Sequence, residues 1–117
     1  MDVFADTNDV PRTITLNDED DTALDTGNFL TIEVKLRHRY QGTLIGTYTL
    51  ADSEVTQETP TTGGQVTVIV PTEDIENKPV GVLDFHVKTT ETNANYPDSV
   101  RTRTMVPKEC FKLVRDL

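Results

Sequence analysis

Residues 30–40 alternate apolar and polar side chains almost without interruption, and this run constrains the fold more than any other part of the chain. A period of two over eleven residues cannot give a helix one apolar face. It fits a half-buried strand, because successive side chains of a strand point to opposite sides of the sheet. His38 and Tyr40 continue the apolar row. The pattern therefore predicts a long strand whose core-facing side chains are those of Leu30, Ile32, Val34 and Leu36.

Turn signals divide the rest of the chain into short segments of the same kind. Further strands are predicted at residues 12–16, 43–50, 65–70, 81–89 and 99–106. Between them we expect a Gly-containing hairpin turn at 41–42, an exposed loop at 51–64 and a single helical turn at 71–75. Residues 107–117 fit either a helical stripe or a strand.

Six or seven short strands without βαβ alternation predict an all-β fold. The expected architecture is an antiparallel two-sheet immunoglobulin-like sandwich, with a small open barrel as the alternative. A chain of 117 residues makes one domain. We expect a flexible N-terminal arm at 1–11, the β-sandwich at 12–106 and a C-terminal tail at 107–117.

The charge balance excludes some classes of partner. Eleven Lys and Arg face twenty Asp and Glu, which gives a net charge of −9. This balance argues against binding to a nucleic-acid backbone or an anionic membrane, since both depend on clustered cations. No apolar run approaches the roughly 20 residues that span a bilayer. The acidic start of the chain is unlike a signal peptide, so we expect a protein that is made and assembled inside a cell.

No catalytic or metal-binding signature is recognisable, and we expect neither a cofactor nor a bound metal. The acidic run at 17–21 lacks the ligand spacing of a calcium loop and is interpreted as a solvated turn. A zinc site needs three or four ligands together. His38, His86 and Cys110 show no such spacing, so the two histidines are expected at the rim or surface. Cys110 lacks the flanking residues of a Cys–His nucleophile pair and has no second cysteine for a disulfide.

Two pairs of arginines are the first candidates for a binding surface. They lie two residues apart on two predicted strands, so each pair decorates one sheet face: Arg37, Arg39, Arg101 and Arg103. One interpretation is a solvated face balanced by nearby acids. The other is a cationic strip that binds carboxylates of a neighbouring subunit, for which the planar guanidinium is well suited.

Apolar residues near both ends of the chain are the second candidates. Val3 and Phe4 lie in an acidic, polar segment that is too poor in apolar residues to bury itself. Segments of this kind often become ordered only on a partner. The predicted tail carries four more apolar contacts, Phe111, Leu113, Val114 and Leu117. We therefore expect assembly contacts at both ends.

Taken in order along the chain, these segments resemble the immunoglobulin-like module of phage baseplate upper proteins and related virion accessory proteins. The shared features are an opening strand with an acidic turn and a leucine, a long strand, a Gly-bearing hairpin, a β-branched strand, a helical turn and a late Gly-x-Leu-x-Phe strand. They correspond to residues 12–24, 32–36, 42–45, 66–70, 71–75 and 81–87.

The resemblance implies a non-enzymatic structural or interaction module of a bacteriophage virion, in a capsid decoration, neck, tail or baseplate. It implies synthesis in the host cytoplasm and assembly with other virion structural proteins, and copies of the chain itself are further candidate partners. A carbohydrate-binding or adhesin-type sandwich is the alternative, and its candidate stacking residues are Phe29, Tyr40, Tyr48 and Tyr96. A small hydrolase is disfavoured because no nucleophile–base arrangement is recognisable.

Overall fold

The computed structural model describes residues 2–4, 10–75 and 78–114, and two β-sheets dominate this part of the chain. The strands are β1 (Asp2–Phe4), β2 (Val10–Thr15), β3 (Phe29–His38), β4 (Leu44–Thr49), β5 (Val55–Gln57), β6 (Gln65–Val70), β7 (Gly81–Thr92), β8 (Val100–Met105) and β9 (Cys110–Val114). A four-residue helix, α1 (Thr72–Ile75), and two 3₁₀ turns, Thr26–Asn28 and Thr61–Gly63, lie between them. None of the helices in the described ranges has the length and apolar character needed to cross a membrane.

The larger sheet has the strand order β1-β9-β7-β3-β4, with β8 also paired to β7, and the smaller sheet has the order β2-β6-β5. All neighbours are antiparallel except β1 and β9, which are parallel. The apolar side chains of the two sheets pack into one core. This confirms the predicted all-β sandwich, with nine strands in the described ranges instead of six or seven.

Strict alternation places the core residues where the sequence predicts them on several strands. Ile32, Val34 and Leu36 of β3 are buried, as are all three valines on the inward side of β6. On β7 the buried apolar residues are Leu83, Phe85 and Val87, which face the core beside β3. The predicted helical turn at 71–75 appears as α1.

Two β-bulges interrupt the simple alternation of core-facing and outward-facing side chains. The pairing of β3 with β7 shifts between Phe29 and Thr31, so that Phe29 is 8% exposed and Leu30 is 56% exposed. The predicted core position of Leu30 is therefore wrong. A second shift, opposite Leu36 and Arg37, turns Ile45 of β4 into the core and leaves Leu44 exposed. Bulges add one residue to one strand and so reverse the alternation beyond them.

Two more local predictions differ from the structure. Tyr40 does not extend the core row, because β3 ends at His38 and Tyr40 is exposed in the following turn. The segment 51–64 is not wholly a loop: it contains β5, in which Val55 is buried and pairs with Val68. One apolar residue in a stretch rich in Thr, Glu and Pro gave no strand signal.

The C-terminal segment forms a strand as far as it is described. Strand β7 is twelve residues long, and two strands share one of its edges. β8 pairs with residues 87–92 and β9 pairs with residues 81–84. Because β1 joins β9, the sheet includes residues 2–4 and 110–114, beyond the predicted sandwich limits of 12 and 106.

Candidate functional site

The outer face of the larger sheet is open to solvent and is the most distinctive surface of the described chain. The side chains that alternate with the core residues of β3 and β7 lie here, in the cross-strand pairs Glu33–Lys88, Lys35–His86 and Arg37–Asp84. The smaller sheet covers only the opposite face, where the core lies. His86 and Lys88 are consequently exposed, although both belong to a central strand.

This outer face is positively charged in an acidic protein. On strands β3, β7 and β9 and at Arg39, the described side chains of this face comprise five Lys and Arg against two carboxylates, an excess of three positive charges. We call it the cationic face and define it by Lys35, Arg37, Arg39, Lys88 and Lys112 together with Glu33 and Asp84. The rest of the sequence contains six Lys and Arg against eighteen Asp and Glu. Charge is therefore strongly segregated between this face and the other surfaces.

Among the cations that define the face, Arg39 makes the closest ion pair, because it bonds Asp84 through two hydrogen bonds. Its Nε and Nη2 donate to the Asp84 carboxylate over 2.9 and 2.8 Å. Asp84 is only 14% exposed in its side chain, against 42% for Arg39. The hydrogen bond from Arg39 lowers the pKa of Asp84, and the same bond raises the pKa of Arg39. These hydrogen bonds hold the Arg39 side chain against Asp84 of the same molecule.

Within the described residues, the other cations of the face are not held in an ion pair as close as that of Arg39. Arg37 donates from Nη1 to the carbonyl oxygen of Gly42 over 3.2 Å and so supports the β3–β4 turn. Lys35 lies 3.8 Å from Glu33, and both side chains are about two-fifths exposed. Lys88 and Lys112 are exposed and have no ion-pair partner within the described ranges. These three lysines can accept new carboxylate partners without breaking a close ion pair.

A shallow groove of about 510 Å³ crosses the cationic face between β3, β7 and β8. Lys35, Arg37 and Lys88 line it together with the exposed side chain of Val106. Leu44, opposite Arg37 on β4, is also exposed. Cations flanked by exposed apolar side chains are suited to binding an acidic protein surface.

The second arginine pair lies on the opposite face of the same sheet. Arg103 is in register with the buried Thr89, and Arg101 is in register with Glu91. Arg103 donates from Nε to Glu91 over 2.9 Å. The four predicted arginines therefore do not form one strip, and only Arg37 and Arg39 belong to the cationic face.

Arg101 and Arg103 line a separate cleft of about 460 Å³ between β8, the acidic turn at 17–21 and residues 107–109. Tyr96 lies at this cleft and is exposed. Lys108 crosses the cleft rim to Asp21 with a 2.8 Å ion pair, and this hydrogen bond lowers the pKa of Asp21. The cleft thus combines both charge signs with one aromatic ring.

The acidic turn is stabilised by hydrogen bonds between the Asp18 side chain and backbone N–H groups of the same segment. One oxygen of Asp18 accepts hydrogen bonds from the N–H groups of Asp20 and Thr22, over 2.9 and 3.0 Å. Within residues 2–4, 10–75 and 78–114 no group of three His, Cys, Asp or Glu side chains is placed to hold a metal ion.

His38 is buried, contrary to the prediction of a rim or surface position. The Gln41 N–H donates to its Nδ1 over 3.3 Å, so the proton lies on Nε2, which donates to the Val80 carbonyl over 3.0 Å. The next residue, Gly81, has a φ of +141°, and a Cβ there would overlap the imidazole ring. His86 lies on the opposite face of the sheet, where Cys110 is in register with Asp84. The two histidines are thus separated by the sheet.

The apolar candidates near the chain ends fall in strands or outside the described residues. Val3 and Phe4 lie in β1, and Phe111 and Val114 lie in β9. Leu113 is completely buried, so here it is a core residue. Leu117 lies outside the described residues.

Of the aromatic candidates, Phe29 and Tyr48 are buried, whereas Tyr40 and Tyr96 are exposed.

Sequence reasoning did not single out the three lysines of the cationic face. The signal that could have found Lys35 and Lys88 is their position between core residues on strands β3 and β7. Lys112 was hidden because residues 107–117 fit two secondary structures. No protein-family model, curated protein or solved structure matches this chain.

Proposed function

We propose that this chain is a non-enzymatic interaction module whose cationic face binds a carboxylate-bearing neighbour in a larger assembly. The observation that supports this function is the excess of three positive charges among the described side chains of β3, β7, β9 and Arg39 on the uncovered face of a chain with net charge −9. Lys35 and Lys88 are diagonal neighbours on β3 and β7, and their like charges repel one another in the isolated protein. An acidic partner removes that repulsion and selects one orientation of docking.

The setting that we propose is a bacteriophage virion, where the chain serves in a capsid decoration, neck, tail or baseplate. The order of segments along the sequence, which resembles that of virion accessory modules, supports this setting. The partners are then other virion structural proteins, encountered after synthesis in the host cytoplasm. Binding through a sheet face needs no catalytic residue and no cofactor.

Incorporation into particles tests the proposal directly. Phage particles purified by density gradient are expected to contain the chain at a fixed copy number, which quantitative mass spectrometry measures. A variant with Lys35→Gln and Lys88→Gln, supplied in place of the native chain, is expected to be incorporated at least about tenfold less, which is roughly 1.4 kcal/mol of lost binding.

The matched control changes the net charge equally on the other sheet. Thr56 and Gln65 are exposed on the smaller sheet, and Thr56→Glu with Gln65→Glu lowers the net charge by two, as the lysine variant does. This variant is expected to be incorporated normally. Equal incorporation of both variants, or absence of the chain from particles, would contradict the proposal.

A carbohydrate-binding module is the second candidate, and the exposed Tyr96 ring at the 460 Å³ cleft is the observation that favours it. An aromatic ring can stack on a sugar ring, while Asn, Asp and Arg side chains can form hydrogen bonds with its hydroxyl groups. Glycan-array binding that is lost in Tyr96→Ala and kept in Tyr40→Ala would support this function. An array without signal would exclude the tested glycans.

A further inference from the structure

We infer that the partner of the cationic face is a second copy of this chain, which docks its acidic surface on that face in a head-to-tail contact. This inference rests on the proposed function and names its partner. Charge complementarity supports it: outside the residues that define the cationic face, the sequence contains eighteen acidic residues against six basic ones. Each copy therefore supplies both halves of an electrostatically matched contact.

The sign of the charge decides the symmetry of the contact. In a two-fold dimer each partner uses the same patch, so two cationic faces would oppose one another. Lys35, Lys88 and Lys112 of one copy would then meet the same lysines of the other, and like-charge contacts of this kind are strongly unfavourable. A contact between copies must therefore join different patches, and such contacts close into rings or extend as filaments.

The acidic turn at 17–21 is the counterpart that the structure presents best. Glu19 and Asp20 are exposed, and neither carboxylate has an ion-pair partner within the described ranges. The other two carboxylates of the turn are engaged, Asp18 with backbone N–H groups and Asp21 with Lys108. Glu19 and Asp20 can consequently pair with the free lysines of another copy.

The two patches occupy different surfaces of the molecule, because the acidic turn lines the cleft of Arg101 and Arg103, which lie on the other face of the larger sheet. The cationic face is the outside of the larger sheet, whereas the acidic turn follows β2 of the smaller sheet. One contact between two copies therefore leaves the cationic face of one copy and the acidic turn of the other unoccupied. Further copies can add at both, as a repeating particle component requires.

Sedimentation velocity of the purified chain tests the inference. At about 20 mM salt the chain is expected to form species larger than a dimer as its concentration rises. At about 500 mM salt the association constant is expected to fall at least tenfold, because exposed charges are screened over a few ångströms. Lys35→Glu with Lys88→Glu, and separately Glu19→Lys with Asp20→Lys, are expected to be monomeric. An equimolar mixture of the two variants is expected to associate again, because each reversed patch now matches the other.

Circular dichroism checks that each variant is folded, and the neutral pair Lys35→Gln with Lys88→Gln replaces the reversed pair if that one fails to fold. A monomer at every concentration and salt overturns the inference, as does a closed symmetric dimer or wild-type association by either variant. A monomeric chain that still enters particles in a manner dependent on Lys35 and Lys88 overturns only the identity of the partner. Absence of the chain from particles with self-association intact overturns only the virion setting.

Discussion

At the scale of single residues, Gly46 shows how one missing side chain lets a polar group enter the core. Tyr48 is buried, and its hydroxyl donates to Asp74 over 2.9 Å. Burial, together with this hydrogen bond to a carboxylate, raises the pKa of Tyr48. The ring reaches Asp74 by lying over Gly46, where an added Cβ would overlap the hydroxyl and come within 2.8 Å of the Tyr48 Cζ.

Gly46→Ala is therefore expected to destabilise the fold by about 1–3 kcal/mol, the usual cost of overpacking a filled site. Urea unfolding monitored by circular dichroism measures the change. Gly63→Ala is the matched control, because nothing lies within 4 Å of a Cβ at that position. Equal stability of the two variants would mean that Tyr48 does not lie over Gly46.

The Arg39–Asp84 pair predicts a pH dependence with a defined sign. The pKa of Asp84 is lowered in the folded protein, so its stabilising contribution is complete above the unfolded pKa of about 3.9 and is lost as the pH falls through the folded pKa. Arg39→Met is thus expected to be less stable than the wild type at pH 6, with a difference that shrinks below about pH 4.

Thermal melts from pH 6 to about pH 3 measure this difference. Lys108→Met is the control, since Lys108 and Asp21 are largely exposed and pairs of that kind contribute little. A difference between Arg39→Met and wild type that stays constant across this range would exclude the linkage.

At the scale of secondary-structure elements, alternation predicts a strand well and its bulges poorly. Strands β6 and β7 bury the residues that a period of two assigns. The phase of β3 changes at Leu30 because a bulge depends on how β7 pairs with it, and β7 is some fifty residues away in sequence. Local pattern carries no information on such a partner. For the same reason the sequence could not pair Arg39 with Asp84 or separate the two arginine pairs between sheet faces.

The bulge in β3 gives a prediction that separates the structure from simple alternation. Phe29→Ala is expected to destabilise by about 3–5 kcal/mol, as truncation of a buried Phe does. Leu30→Ala is expected to cost less than about 0.5 kcal/mol, since its side chain is exposed. Ile32→Ala should cost about 2–5 kcal/mol under either interpretation and serves as the reference. Denaturant unfolding that ranks Leu30 above Phe29 would restore the strict alternation.

At the scale of the whole molecule, the uneven distribution of charge links stability to assembly. A chain with net charge −9 repels itself in the folded state, and the cationic face relieves part of that repulsion only locally. Screening by salt weakens long-range repulsion among exposed acids more than it weakens close pairs such as Arg39–Asp84. Salt is therefore expected to stabilise the monomer while it dissociates contacts between copies.

This opposition gives a rank order for the effect of salt on the melting temperature. Glu19→Lys with Asp20→Lys reduces the net charge to −5, and Lys35→Gln with Lys88→Gln increases it to −11. The rise in Tm between about 20 and 500 mM salt is expected to be smallest for the first variant, intermediate for the wild type and largest for the second. The wild-type rise should be about 3–5 °C, which corresponds to roughly 1 kcal/mol in a domain of this size. Calorimetry at a concentration where the chain is monomeric measures it. The reverse order would show that attraction between the cationic face and the acidic surfaces of the same molecule, and not net repulsion, dominates the electrostatics of the fold.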